Sequence, residues 1–425
     1  MSISPARVAA FDILLRIERE RAFSSVLLPL FEERLSPVDR SLCHELVLGS
    51  LRRQMKLDAT IDALAGKRKM DTEVRVALRI GIFQLQNLDR VPPRAAINES
   101  VDLVKRARKT SASGFVNAIL RRVTRESIDP SYVDELDRIS IETSHPRWLL
   151  ERWTDRMGIV EAQELAASND QSPKVAFRVL RDDPELDAFL GSAQSSSAVP
   201  GCYLLERSSP SVRQLAGENR IYIQDEASQM VAHAITPPPG GGFLDVCAAP
   251  GGKTGLFTAL NTPALAVAGD LHSARVRLLS DNCQRQGVEV QIVQDDASKL
   301  PFAPASFDTV LVDAPCTGTG TIRHNPEIRY FLQPHDVDEL SSKQRAILTE
   351  ASKAVRRSGT LLYSTCSLEL EEGELVAKTF LLEHPDFESI PPEVPQRFLT
   401  NDGFARMWPH RDDMDGFFIA AFRRV

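Results

Sequence analysis

Residues 245–254 read DVCAAPGGKT, closing an apolar run and ending in Gly252, Lys253 and Thr254. The ending resembles a triphosphate loop, but a Walker A loop needs a glycine five positions before its second glycine, and Cys247 stands there. Pro250 removes a further backbone donor from a loop whose amides would have to wrap phosphates. The flanks settle what kind of turn this is. GFLDV before it is a strand and GKTGLFTALN after it a helix; then come ALAVAGD, SARVRLLSDNCQRQG, VQIVQDD and FDTVLVDAPC, as strand, helix, strand and strand. SSKQRAILTEASKAVRRSG predicts a helix feeding the strand TLLYSTCS, and GFFIAAFRRV a last strand. This alternation defines an α/β fold with a mostly parallel, doubly wound sheet, whose ligands bind at the carboxyl ends of its strands.

Those ends carry carboxylates. The first strand ends in Asp245 and the second in Asp270, placed to accept ribose hydroxyls. The third ends in Asp295 and Asp296, placed for an adenine amine, and the fourth in Asp313. A triphosphate would be repelled by so many carboxylates, whereas a cationic sulfonium would be favoured. S-adenosylmethionine is therefore expected over ATP; NAD, which shares the adenosine half, stays open. Helix capping would explain one or two of Asp245, Asp270, Asp296 and Asp313 but poorly explains all four.

The chain upstream differs. Over the whole protein the net charge is −7, but residues 1–125 contain 23 Lys+Arg against 14 Asp+Glu, and the remainder 28 against 44. A module of +9 joined to one of −16 suggests that one part holds a polyanion while the other does chemistry. Ser4 and Pro5 open a helix, VRVALRIGIFQL buries Val74, Leu78, Ile82 and Leu85 on one face, and VPPRAAINESVDLVKRARKT and GFVNAILRRVTR continue in helical period. Arg106, Arg108, Lys109, Arg121 and Arg122 cluster at two helix ends. Such cations could merely complement helix dipoles, but their number points to a phosphate-contacting surface. Trp148 and Trp153 are expected to pack rather than to stack on bases. No run of about 18 apolar residues occurs and the first twenty residues are charged throughout, so a cytoplasmic chain without a membrane partner is expected. The six cysteines form no C-x-x-C pair, and no metal site is expected.

Two of those cysteines sit at strand ends, Cys316 in LVDAPCTGTG and Cys366 in LLYSTCSLE. A lone buried cysteine is usually structural; two at the ligand edge, one of them three residues after Asp313, are not. DVCAAPGGKT, DAPCTGTGTIRHNP, YSTCSLELEE and DGFFIAAF together resemble the signature motifs of the RNA cytosine-5 methyltransferases, and the helical front resembles the RNA-binding antitermination factor NusB. The likeness covers nearly the whole chain and points to the bacterial enzymes that act on small-subunit ribosomal RNA.

The resemblance implies a Rossmann-like S-adenosylmethionine-dependent methyltransferase sheet with an all-helical NusB-like domain. Its expected divisions are 1–128 for the helical domain, 129–165 for a helical linker and 166–425 for the methyltransferase domain, with a small α+β subdomain at about 166–220. It implies that Cys366 adds to carbon 6 of cytosine, because carbon 5 is too weak a nucleophile to take a methyl group directly. Asp313 would support N3, and Cys316 would assist release of the product. DNA cytosine-5 enzymes use the Pro-Cys thiol for attack, so exchanged roles are the mechanistic alternative. Cys247, Ala248, Ala249, Pro250, Gly251, Gly252 and Lys253 would form the cofactor loop, with Asp270 on the ribose, Asp296 near the adenine, and Lys253 beside Asp313. The implied partner is small-subunit ribosomal RNA, naked or early in assembly, with no obligate protein partner. One departure stands out: the family usually has Glu-Glu-Asn after the Thr-Cys motif, and here Gly373 takes the last place. A non-catalytic RNA-binding assembly factor would have no use for either thiol.

Overall fold

The computed structural model describes residues 3–425 apart from positions 67, 127 and 129. Two compact units result, Met1–Ser172 with Ile322–Leu332, and Pro173–Thr321 with Gln333–Val425.

The first unit is helical. Helices Pro5–Glu20, Ser24–Glu32, Pro37–Arg52, Gln54–Ala65, Thr72–Asn87, Pro93–Arg106 and Ser113–Val123 enclose one apolar core. Helix Thr72–Asn87 buries Val74, Val76, Leu78, Ile80, Ile82 and Phe83, more than the single face its period predicts, because other helices surround it. Close approach requires small residues: a Cβ on Gly49 would lie 2.0 Å from the Phe83 ring.

The expected linker 129–165 is corrected by the structure. Helices Glu135–Thr143, Arg147–Met157 and Ile159–Ser168 belong to the first unit, with Leu149, Leu150, Trp153 and Leu165 buried. Amphipathic faces of this kind need a partner, and here they have one. The expected edge of the linker meets position 129, which lies outside the described residues.

Segment Ile322–Leu332, distant in sequence, completes this unit. The guanidinium of Arg329 is wholly buried and donates to the carbonyls of Thr143 (2.7 Å) and Ser144 (3.3 Å). Glu327 accepts from the backbone N–H (2.6 Å) and hydroxyl (3.1 Å) of Ser24, and the Tyr330 hydroxyl donates to the Leu51 carbonyl at 2.6 Å.

The second unit contains two sheets. Strands β1 (Val175–Val179), β2 (Gln194–Ser195), β3 (Cys202–Leu205) and β4 (Ile221–Ile223) form a small antiparallel sheet in the order β2-β3-β1-β4. The main sheet contains β5 (Gly242–Asp245), β6 (Leu265–Asp270), β7 (Gln291–Gln294), β8 (Phe307–Asp313), β9 (Val355–Thr365), β10 (Phe387–Ile390), β11 (Ala405–Met407) and β12 (Phe417–Arg424). Its order is β10-β12-β9-β8-β5-β6-β7, with β11 also on β12. From β7 to β9 every pairing is parallel, and β12 then enters antiparallel beside β9. Leu244, Val267, Val310, Val312, Leu361 and Tyr363 are buried, as parallel strands covered on both faces require.

One boundary differs from the sequence reading. The helix expected over 341–359 runs instead over Pro334–Ala354, started by Pro334 and a Gln333–Asp336 capping box. The RRSG stretch is already strand, where pairing with β8 includes a register shift and Ser358 adopts φ 63°. Among the described residues, no helix is long and apolar enough to cross a membrane.

Candidate active site

The turn after β5 is shaped by its own backbone and by the helix beside it. Gly251, at φ 101°, caps helix Gly252–Asn261 in a left-handed conformation, and a Cβ there would meet Leu279 at 2.9 Å. The carbonyls of the turn are held by one neighbouring helix, Ser273–Gln286: Arg275 donates to Ala249 (2.8 Å), Asn282 to Pro250 (2.8 Å) and Gln286 to Gly251 (3.1 Å). With its carbonyls turned toward that helix, the loop is a fixed wall. Burial pushes the Cys247 thiol up, so it stays protonated and acts as a small packing group.

Asp245 is buried and accepts from the Thr254 hydroxyl at 2.7 Å; burial pushes its carboxyl up to about 7. Asp270 accepts from the His272 backbone (3.2 Å) and faces the Arg275 guanidinium (3.2 Å). The two third-strand aspartates behave differently. Asp296, which the resemblance places near the adenine, is exposed and caps its own turn through the Ser298 N–H (2.9 Å) and hydroxyl (2.7 Å). Both carboxylate oxygens of Asp295 are buried without a hydrogen-bond partner, next to Gly269, where a Cβ would come within 2.3 Å. Burial, then the nearby Asp270 and Asp296, push Asp295 up to about 6. A buried acceptor without a donor is costly unless a ligand supplies one. Ribose hydroxyls and an exocyclic amine are such donors, and a cationic sulfonium suits this acidic rim, so these residues fit S-adenosylmethionine. The loop of residues 247–253, Asp270 and Asp295 would hold it, with Asp296 at the margin.

Strand register brings the expected site residues together. In the β8–β9 pairing Asp313 stands opposite Ser364, so Cys316 and Cys366 leave neighbouring strands at the same level. Their sulfurs are 3.3 Å apart. The Ser364 hydroxyl donates to Asp313 Oδ1 at 2.8 Å, and Lys253 Nζ donates to Oδ2 at 2.6 Å. Burial lowers the Lys253 ammonium and Asp313, with a smaller share from Cys366, raises it; the net shift is upward, and Lys253 remains charged. Its ammonium also lies 5.0 Å from the Phe417 ring centroid. The hydrogen bond to Cys366, followed by burial, pushes the Cys316 thiol well up.

The expected cationic surface is only partly free. Arg106 forms a two-point pair with Asp12 (2.7 and 2.9 Å), Lys109 pairs with Asp71 (3.0 Å) and Arg122 with Glu126 (2.8 Å). Among the described residues Arg108 and Arg121 have no carboxylate partner; Arg121 donates to the Asn117 amide oxygen at 3.1 Å. Periodicity places charges on a helix face but does not reveal partners distant in sequence.

Gly373 has a steric reason. A Cβ there would lie 2.4 Å from the Arg406 guanidinium, which forms a buried pair with Glu374 and donates to the Ser367 carbonyl at 2.6 Å. Arginine occupies the room that a side chain at position 373 would need.

Parallel sheet, glycine turn, acidic rim and paired thiols define the class: an S-adenosylmethionine-dependent methyltransferase. Residues 232–423 match the family described as 16S rRNA methyltransferase RsmB/F, and residues 4–125 match the NusB family. A Bacillus subtilis relative, a probable ribosomal RNA small subunit methyltransferase B, is 33% identical with all of both chains covered. A Sodalis glossinidius ribosomal RNA small subunit methyltransferase B is 33% identical over 89% of this chain and 90% of its own. The solved structure of PH0851 superposes over 100% of both chains with TM-score 0.86 at 26% identity. The chain belongs to the RsmB-type family of ribosomal RNA small subunit methyltransferases.

Proposed function

We propose that the protein methylates carbon 5 of a cytosine in 16S ribosomal RNA, with Cys366 forming a transient bond to carbon 6. The observation that carries this reading is the pair of thiols 3.3 Å apart beside the Lys253–Asp313 ion pair. S-adenosylmethionine, when bound, supplies an electrophilic methyl group. Cys366 adds to carbon 6 as thiolate, and the electron pair displaced from the ring is stabilised through N3 by Asp313, with Lys253 as the nearby proton source. Carbon 5, now nucleophilic, takes the methyl group. Water takes the carbon 5 proton, the electron pair of that C–H bond re-forms the ring double bond, and the Cys366 sulfur leaves carbon 6 as thiolate.

The 3.3 Å sulfur spacing lets one thiol serve the other, and the resemblance to the RNA cytosine-5 methyltransferases gives the attack to Cys366. A protonated Cys316 can donate to a Cys366 thiolate and stabilise it, and can return a proton when the adduct collapses. The target base must leave its stack, which is cheapest in a single-stranded segment. That favours naked or early-assembly ribosomal RNA, in which such segments are still open. Arg108 and Arg121 are the free cations best suited to phosphates.

The test is a pair of variants with labelled cofactor and RNA. Cys366→Ala abolishes methyl transfer and leaves S-adenosylmethionine affinity within about threefold by calorimetry, because its sulfur bonds to the base and not to the cofactor. Cys316→Ala accumulates enzyme covalently joined to RNA, visible as a shifted band on a denaturing gel. Full turnover in the Cys366 variant would remove the nucleophile assignment.

A further inference from the structure

Each of the two thiols is followed in sequence by a hydroxyl residue, Thr317 after Cys316 and Ser367 after Cys366. Both hydroxyls reach the same carboxylate. Glu372 is fully buried; its Oε1 accepts from the Thr317 N–H at 2.9 Å and its Oε2 from the Ser367 hydroxyl at 2.5 Å and from the Thr317 hydroxyl. Gln344 donates to Oε1 at 2.9 Å and, from the same amide nitrogen, to the carbonyl of Pro315, immediately before Cys316, also at 2.9 Å. The Glu372 carbonyl accepts from the Tyr363 hydroxyl at 2.7 Å and from Thr365 at 3.3 Å, two residues of the strand that delivers Cys366. Thus one side chain is bonded to the residue beside each thiol, and its backbone is anchored to β9.

We propose that Glu372 is a positioning residue that sets the spacing of the Cys316 and Cys366 sulfurs by tying their two loops to a single carboxylate. It holds the two sulfurs through Thr317 and Ser367, and its charge adds a smaller upward push on the Cys316 thiol. A purely apolar residue could fill the same volume, yet it would leave buried donors on both loops without an acceptor, and each loop would turn to satisfy its own. The arrangement suits a reaction in which one thiol bonds to the ring while the other must remain within proton-transfer reach. This inference rests on the two-thiol reading above for its purpose, but the geometry can be tested without it.

The test measures sulfur spacing directly in the full-length protein. Diamide takes two electrons and two protons from a thiol pair; a sulfur–sulfur bond forms and the azo bond is reduced to a hydrazine. In the wild-type chain the Cys316–Cys366 disulfide closes rapidly, followed by mass spectrometry of the linked peptides. Glu372→Gln keeps the volume but turns an amide donor toward the donors of Thr317 or Gln344. It slows closure at least tenfold and lowers kcat by about a hundredfold, the scale of a 1 Å misplacement, while KM for RNA and cofactor affinity stay within twofold. Ser367→Ala, which removes one arm alone, slows closure to a lesser degree and serves where the Glu372 variant does not fold. If closure and kcat per folded molecule match wild type in either folded variant, Glu372 only stabilises the fold and the proposal is overturned. Slowed closure alongside an active Cys366→Ala enzyme would instead sink the proposed chemistry and leave the positioning role standing.

Discussion

At the scale of single residues, the buried acids and thiols carry the pH dependence. Asp245 titrates near 7 in the fold against an ordinary value of 3.8, so the folded state holds its proton more tightly than the unfolded chain. Stability from this group is complete below about pH 4, declines as pH rises toward 7 and is level above that. Asp245→Asn removes the decline: denaturant melts at pH 5 and pH 8 will show the variant gaining on wild type at the higher pH. Cys316 gives a second readout. Since the hydrogen bond to Cys366 is the first cause of its upward shift, its alkylation rate in the wild type keeps climbing with pH above 9. In Cys366→Ala the rise levels off at lower pH. Equal profiles for the two proteins would show that the neighbouring sulfur does not hold the proton on Cys316.

At the scale of elements, close backbone approach locks the Cys316 loop against the last strand. Gly320 donates its N–H to the Cys366 carbonyl at 2.9 Å and accepts from the Gly416 N–H at 2.9 Å. A Cβ on Gly320 would meet the Gly416 carbonyl oxygen at 2.1 Å and its Cα at 2.8 Å, backbone that cannot step aside. Gly320→Ala is expected to destabilise the protein by about 1–3 kcal/mol and to slow turnover at temperatures where it stays folded, measured by urea melts and single-turnover assays. The elements themselves were readable in the sequence. β5, β6, β8 and β12 are continuous apolar runs broken by glycine, proline or charge, and a parallel sheet buried on both faces leaves that imprint. Cys316, Cys366, Asp313 and Lys253 were legible from motifs at strand ends. Glu372 was not, because a glutamate in an acidic stretch reads as solvated until the fold buries it among four donors. Asp295 was seen only as one of two neighbours, and it takes the fold to tuck one under Gly269 while the other caps a turn. The start of β9 was hidden by RRSG, whose polarity reads as the end of a helix.

At the scale of the whole molecule, the charge asymmetry underlies the proposed division between RNA holding and chemistry, and its test belongs on the intact chain. Glutamate at positions 108 and 121 together should weaken RNA binding and flatten its dependence on salt by roughly 0.7 in log–log slope per lost phosphate contact. The same change at Arg106 and Arg122 should do less, since Asp12 and Glu126 already face them. Equal slopes for both double variants would refute this choice of surface. Within the first unit, Arg329→Met leaves the Ser144 carbonyl without its donor, the Thr143 carbonyl with His145 Nδ1 alone, and Asp170 without its cation at 3.6 Å. A loss of about 3 kcal/mol is expected on the scale of broken buried pairs, read from denaturant melts.

Because Ile322–Leu332 is assigned to the helical unit while the residues on either side of it are not, the polypeptide passes from one unit to the other three times. No single scission can therefore release an intact catalytic half: a fragment beginning at Pro173 would take with it Glu327, Arg329 and Tyr330, bereft of Ser24, Thr143 and Leu51. The front of this chain is thus no interchangeable cassette, and exchanging it for another helical module would demand rewriting eleven residues in the middle of the enzyme as well.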